Sequence, residues 1–216
     1  MRDWPSPNHG ARRGGLRPEL IVLHHTGMAS CAEARARLCD PVAEVSAHWL
    51  IAEGGLAEAL VPEDRRAWHA GAGSWRGRDD VNSRSIGIEM ANPGDRPFPE
   101  PQMVALEGLL AGIMARWHIP PRGVIAHSDM APDRKGDPGR RFDWRRLALQ
   151  GLAVWPEGPG DASRPLADSL DRIGYPDARP QDRLAAFRLR FRPWGKGPEA
   201  AEDRALADAV ARLYAV

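Results

Sequence analysis

Short apolar runs punctuate this chain, and three of them read as strands buried on both faces of a parallel sheet: Leu20-Ile21-Val22-Leu23, Ser85-Ile86-Gly87-Ile88 and Gly123-Val124-Ile125-Ala126. A fourth segment, Val45-Ser46-Ala47-His48-Trp49-Leu50-Ile51, has apolar residues at its odd positions. It predicts a strand with Ser46 and His48 on the face opposite Trp49, toward a site or toward solvent. Glu53-Gly54-Gly55 then reads as a hairpin turn into an antiparallel partner beginning near Leu56. Helical signals fall between the strands. Ser30 and Glu33 make a capping box for a short helix, and Met103, Leu106, Leu110, Ile113 and Trp117 recur at steps of three and four, as an amphipathic helix packed on a sheet requires. The order strand, helix, strand, strand, strand, helix, strand predicts an α/β fold, a central mixed β-sheet flanked by helices.

Beyond Trp144 the pattern changes. Pro156-Glu157-Gly158-Pro159-Gly160 sustains neither helix nor sheet and reads as a linker. Three apolar stripes follow: Leu166, Leu170 and Ile173, ending at Gly174; Leu184, Phe187 and Phe191; and Leu206, Val210 and Leu213. We therefore expect a unit at 1–155, a linker at 156–162 and a small C-terminal three-helix bundle at 163–216. At about 55 residues such a bundle is marginal alone and is expected to dock on the larger unit.

Composition narrows the function classes. The 216 residues are 43% hydrophobic, with 30 Lys and Arg against 29 Asp and Glu and a net charge of +1. Nothing in that balance suggests nucleic acid or an anionic membrane as a partner. No apolar stretch approaches the length of a transmembrane helix, and Met1-Arg2-Asp3-Trp4-Pro5 lacks the apolar core of a secretion signal. The chain as written is thus expected in the cytoplasm; a form from which a leader had been removed would be periplasmic or associated with the outer membrane. Cys31 and Cys39 sit about 12 Å apart along one predicted helix, too far for a disulfide.

The chemistry concentrates in His127-Ser128-Asp129-Met130-Ala131-Pro132-Asp133-Arg134-Lys135-Gly136-Asp137, which we read as a loop stiffened by Pro132 and Pro138. Catalytic zinc takes three ligands from His, Asp, Glu or Cys and keeps one position for water. His127 and an acid of this run supply two, with Asp129 and Asp133 competing with Asp137, and His24 or its neighbour His25 supplies the third. His24, Glu89 and His127 follow the carboxyl ends of three predicted strands, the edge where open α/β sheets bind ligands.

At these residues the chain resembles the N-acetylmuramoyl-L-alanine amidases of the amidase type 2 superfamily, which includes peptidoglycan recognition proteins. The resemblance is carried by Ile21-Val22-Leu23-His24-His25-Thr26, Val45 to Ile51, Arg66-Ala67-Trp68-His69-Ala70-Gly71, Asn82 to Glu89, and His127 to Asp137 continuing into Asp143-Trp144. It implies His24, His127 and Asp137 as ligands of one Zn²⁺ per chain, Glu89 as general base and Lys135 as stabiliser of the oxyanion. It further implies substrate contacts from His48, Arg66, Trp68, His69 and Asn82. The implied reaction is hydrolysis of the amide between N-acetylmuramic acid and L-alanine in peptidoglycan or soluble muropeptides, 1,6-anhydro forms included, by a monomer serving cell-wall recycling or turnover. The alternative is a module that binds muropeptides without cutting them. Gly77-Arg78-Asp79-Asp80-Val81-Asn82 carries acids where recycling-specific relatives tend to carry basic or polar contacts. Ile173-Gly174-Tyr175-Pro176 and the stretch from Phe187 to Pro193 resemble a small three-helix peptidoglycan-binding domain.

Overall fold

The three apolar runs lie side by side in one half of a six-stranded sheet in the computed structural model, which describes residues 2–215. The strands are β1 (Arg2–Asp3), β2 (His9–Gly10), β3 (Leu20–His25), β4 (Trp49–Ile51), β5 (Ala57–Ala59), β6 (Arg66–Ala67), β7 (Ser85–Met90) and β8 (Val124–Ala126). The helices are α1 (Cys31–Leu38), α2 (Val81–Arg84), α3 (Glu100–Trp117), α4 (His127–Met130), α5 (Trp144–Leu149), α6 (Leu166–Ile173), α7 (Pro180–Phe191) and α8 (Ala201–Leu213). Sheet order is β1-β5-β4-β7-β3-β8, and β2 pairs with β6 in a separate ribbon. Strands β4, β7, β3 and β8 run parallel, while β5 returns antiparallel to β4 through the hairpin at Glu53 to Gly55. The sheet is therefore mixed, with helices on both sides, as the apolar pattern predicts.

Each face of the sheet has its own core. Ile21, Leu23, Ile86, Ile88, Val124 and Ala126 face α3, whose Met103, Leu106, Leu110 and Ile113 are all buried against them. Leu20, Val22 and Ile125 face the other way, onto α6, α7 and α8. The C-terminal helices thus share one hydrophobic core with the sheet, because stripes of this size bury too little apolar surface by themselves. Gly174 ends α6 in a left-handed conformation (φ 117°), its N–H donating to Leu170 O. Residues 156–162 are irregular, as expected of a linker, but they are tied down: Gly160 N–H donates to Ala205 O and Asp161 N–H to Asp208 Oδ2, both on α8.

Three local expectations change. The strand predicted over Val45–Ile51 begins only at Trp49, since Ser46 N–H is drawn to Trp68 O rather than into the sheet. The buried face of α8 is Ala207, Val210, Ala211 and Tyr214, whereas Leu213 is exposed; the small alanines let α6 lie close. Ser30 Oγ accepts from Glu33 N–H and caps α1, without the reciprocal bond of a full capping box. Cys31 and Cys39 are free thiols.

Candidate active site

Register brings the site together. In the β3–β7 ladder His24 stands opposite Glu89, and in the β3–β8 ladder Leu23 stands opposite Ala126, so that His127 follows at the level of His24. The run beginning at His127 opens as the short helix α4 and not as loop, then turns through Ala131 to Lys135 and returns Asp137 to His127, where Ser128 N–H donates to Asp137 O. As a result His24 Nδ1 lies 2.9 Å from His127 Nδ1 and 2.9 Å from Asp137 Oδ2, and His127 Nδ1 lies 3.0 Å from the same oxygen.

The partners of the other ring nitrogens decide what these three atoms are. His127 Nε2 sits 3.0 Å from Ala70 O, a carbonyl that can only accept, so Nε2 carries the proton and Nδ1 a lone pair. Ser85 Oγ donates to Val81 O and so accepts from His69 Nε2, which leaves His69 Nδ1 to accept from His24 Nε2 at 3.0 Å. His24 Nδ1 is then a lone pair as well. Two imidazole lone pairs and a carboxylate oxygen converge with no proton between them, an arrangement that repels itself unless a cation sits among them. The hydrogen bonds behind them are of the kind that orient histidine ligands. Burial first, and His127 second, lower the His24 pKa to about 4, which keeps that ring neutral and able to ligate. The donor set of two imidazoles and one carboxylate suits a metal ion.

Glu89 lies in the same cavity of about 250 Å³ with Trp68, Lys135 and the three candidate ligands. Its Oε2 is buried and has no hydrogen-bond partner among the described residues. Burial, reinforced by the charge of Asp137 and opposed by that of Lys135, pushes its carboxyl up to about 8. Lys135 is exposed at the mouth.

The competing residues have other surroundings. Asp129 is fully buried and faces away, its oxygens taken by Ala126 N–H (2.9 Å), Arg190 Nη1 (2.7 Å) and Tyr175 OH (2.7 Å). It is the clasp that joins the ligand-bearing loop to the C-terminal helices. Asp133 is exposed on another cavity. His25 borders the site, but its ring packs against Gly94 and Gly27.

Of the expected substrate contacts, only Trp68 and His69 border the cavity of the candidate metal cluster. His69 is committed to His24 and Ser85 and lies so close over β7 that a Cβ on Gly87 would come within 2.4 Å of its ring. His48, completely buried, accepts from Gly87 N–H at Nδ1 and donates from Nε2 to Arg65 O, so it packs under the sheet edge instead of reaching substrate. Arg66 pairs with Asp80 at 2.8 Å, which also accounts for one acid of the Asp79-Asp80 pair. Asn82 Oδ1 accepts from His69 N–H and Ala70 N–H, shaping the loop beneath His24 and His127. The work of Asp129 as a support had one sequence signal: Arg190 lies within the apolar stripe of Phe187 and Phe191, where a buried arginine demands a buried acid.

The comparisons with known proteins agree with this geometry. Residues 14–140 match the Amidase_2 family, described as N-acetylmuramoyl-L-alanine amidase. The chain is 37% identical to the N-acetylmuramoyl-L-alanine amidase AmiD of Escherichia coli over 92% of its own length and 84% of that protein. It is 33% identical to the 1,6-anhydro-N-acetylmuramyl-L-alanine amidase AmpD of Enterobacter cloacae over 68% and 87% of the respective chains. The structure of E. coli AmiD with the substrate anhydro-N-acetylmuramic acid-L-Ala-D-γ-Glu-L-Lys superposes with a TM-score of 0.83 over 94% of this chain and 92% of that one. AmpDh3 of Pseudomonas aeruginosa with anhydromuramic pentapeptide superposes with a TM-score of 0.82 over 94% of each chain, at 29% identity. Among the described residues no helix is long and apolar enough to cross a membrane. With the family match, the shared fold and the His-His-Asp cluster all in hand, the chain belongs to the N-acetylmuramoyl-L-alanine amidase family.

Proposed function

We propose that this chain is a zinc-dependent amidase that hydrolyses the bond between N-acetylmuramic acid and L-alanine in peptidoglycan fragments, 1,6-anhydro-muropeptides among them, in cell-wall recycling or turnover. The observation that carries the reading is the convergence of three proton-free acceptors, His24 Nδ1, His127 Nδ1 and Asp137 Oδ2, beside the buried carboxyl of Glu89. Zinc held by these three would supply a Lewis acid that polarises the scissile carbonyl and lowers the pKa of water to roughly 7.

The rest of the chemistry falls to the protein. Glu89, as general base, takes a proton at its carboxylate from water in the cavity and returns it to the departing nitrogen. A carboxyl raised toward neutral pH by burial is matched to both halves of that exchange. Lys135 aims its ammonium at the oxygen on which negative charge develops. Trp68 provides an apolar wall to orient the bound fragment. All of these groups come from one chain, which supports a monomer as the working unit. Residues 1–155 would serve as the catalytic unit, with 163–216 as an accessory bundle braced to it through Asp129 and Arg190.

The substrate class rests on relatives whose structures hold anhydro-muramic peptides. Hydrolysis is favoured over mere recognition because binding alone needs neither an acid with a raised pKa nor a lysine beside a complete ligand set. The test is product analysis on an anhydro-muropeptide and its reducing counterpart. Zinc-loaded protein should release peptide with a free L-alanine amine. Glu89→Gln should keep zinc but lose about 100-fold or more in rate, and a variant retaining half its activity would remove Glu89 from the mechanism.

A further inference from the structure

The sheet edge opposite the metal cluster holds a second cavity, of about 390 Å³, whose charge is lopsided. Arg76, Arg78, Arg84 and Arg122 line it, with Glu19 as the one carboxylate. Leu20, at its floor, is four residues along β3 from His24, roughly 13 Å at strand rise, so a ligand there would not touch the metal ligands. Glu19 is consumed internally: its Oε1 accepts from Arg78 Nη1 at 2.6 Å and from Arg84 Nε at 2.7 Å. Arg84 spends its remaining donors on Trp75 O and Arg78 O.

Arg76 spends Nη1 on Tyr214 O at 3.2 Å, but other donors of the lining stay unspent. Arg122 forms no ion pair among the described residues, although it is half-buried. Trp75 lines the cavity at 1% exposure, and its Nε1–H has no hydrogen-bond partner among the described residues. Buried indole N–H groups normally find an acceptor. Arg76 and Gly77 both take positive φ (54° and 70°) in the turn closed by the Trp75–Arg78 bridge. Glycine or asparagine suits the first of these positions far better than arginine, so the backbone holds Arg76 at the cavity against local preference.

We propose that this cavity is an anion site for a phosphate-class group, held by Arg122, Arg76 and Arg78 with the Trp75 Nε1–H as a neutral donor. A tetrahedral dianion presents acceptors in enough directions to engage guanidinium forks and an indole N–H at once, whereas a carboxylate has only two oxygens in one plane. The phosphate arrives on a small soluble ester or on a lipid headgroup, and the experiment separates the two.

Calorimetric titration of the full, zinc-loaded chain with glycerol 3-phosphate at low ionic strength should show saturable binding. Arg122→Gln should weaken it by about tenfold or more, and Arg122→Lys by less, since a charged donor remains. Amidase turnover of Arg122→Gln should stay at the wild-type level, which certifies the fold and leaves the active site out of the effect. Cosedimentation with phosphatidic acid vesicles, against phosphatidylcholine alone, assigns a headgroup if Arg122→Gln abolishes it and a soluble ester if only glycerol 3-phosphate binds. Binding unaltered by Arg122→Gln, or absent for both probes, overturns the proposal.

Discussion

Replacing His69 with alanine tests whether the histidine behind the metal cluster sets its affinity. His69 Nδ1 is the acceptor for His24 Nε2–H at 3.0 Å, and its own Nε2–H continues to Ser85 Oγ at 3.2 Å. His24 is 1% exposed, so no bulk water takes over when the acceptor goes. Leaving a buried N–H without a partner costs about 1–3 kcal/mol, and removing such outer supports typically lowers metal affinity about 10- to 100-fold. Gly87→Ala gives an independent route to the same loss. The new Cβ would meet the His69 ring at 2.4–2.6 Å, so the ring must move while every imidazole remains in the chain. Zinc dissociation constants from competition against a chromophoric chelator, with thermal melts as a folding check, provide the readout. If both folded variants hold zinc within about twofold of wild type, where loss of such supporting hydrogen bonds costs about tenfold and more, the chain His24, His69, Ser85 does not support the metal.

Further outcomes follow from the same contacts. Asp129→Ala strands Arg190, which is 2% exposed, together with Tyr175 OH and Ala126 N–H; urea denaturation should show a loss of about 3–5 kcal/mol, and one below about 1 kcal/mol would deny the clasp. His48, lowered to about 3 chiefly by burial, stays neutral in the fold while the unfolded chain takes up a proton below about 6.5. It therefore adds a destabilisation that is absent above about pH 6.5, grows as pH falls toward 3 and amounts to about 2 kcal/mol at pH 5. His48→Gln should flatten the stability difference between pH 7.5 and 5, and an unchanged slope would contradict the assignment. Lys135→Ala should slow turnover about 100-fold or more with little change in substrate binding, and selective loss of binding would give the lysine another task.

Much of this architecture was legible because burial on both faces leaves a plain mark. The runs at Leu20, Ser85 and Gly123 are apolar since helices cover both sides of β3 and β8 and one side of β7, whose other face is closed by His69, and His24 and His127 stand out as polar residues at their ends. The stripe of α3 and the Gly174 cap report local periodicity and backbone need, which a sequence carries directly. What stayed hidden depends on contacts between distant residues. Period-two alternation gave His48 a face but not what fills it, and Gly87 N–H and Arg65 O occupy both of its nitrogens. Asp129 is held away from His24 and His127 by Tyr175 and Arg190, 46 and 61 residues further along. Two-residue strands such as β1, β2 and β6 are too short to impose any period.

In the proposed mechanism His24, His127 and Asp137 jointly hold one zinc ion on which hydrolysis depends. Elemental analysis of the purified chain and of His24→Ala, each paired with muropeptide turnover before and after chelation and zinc readdition, tests it most directly. One zinc per wild-type chain is expected, with activity lost and restored with the metal, and neither zinc nor turnover in a folded His24→Ala. Full zinc occupancy in that variant, or undiminished hydrolysis by metal-free wild type, would contradict it.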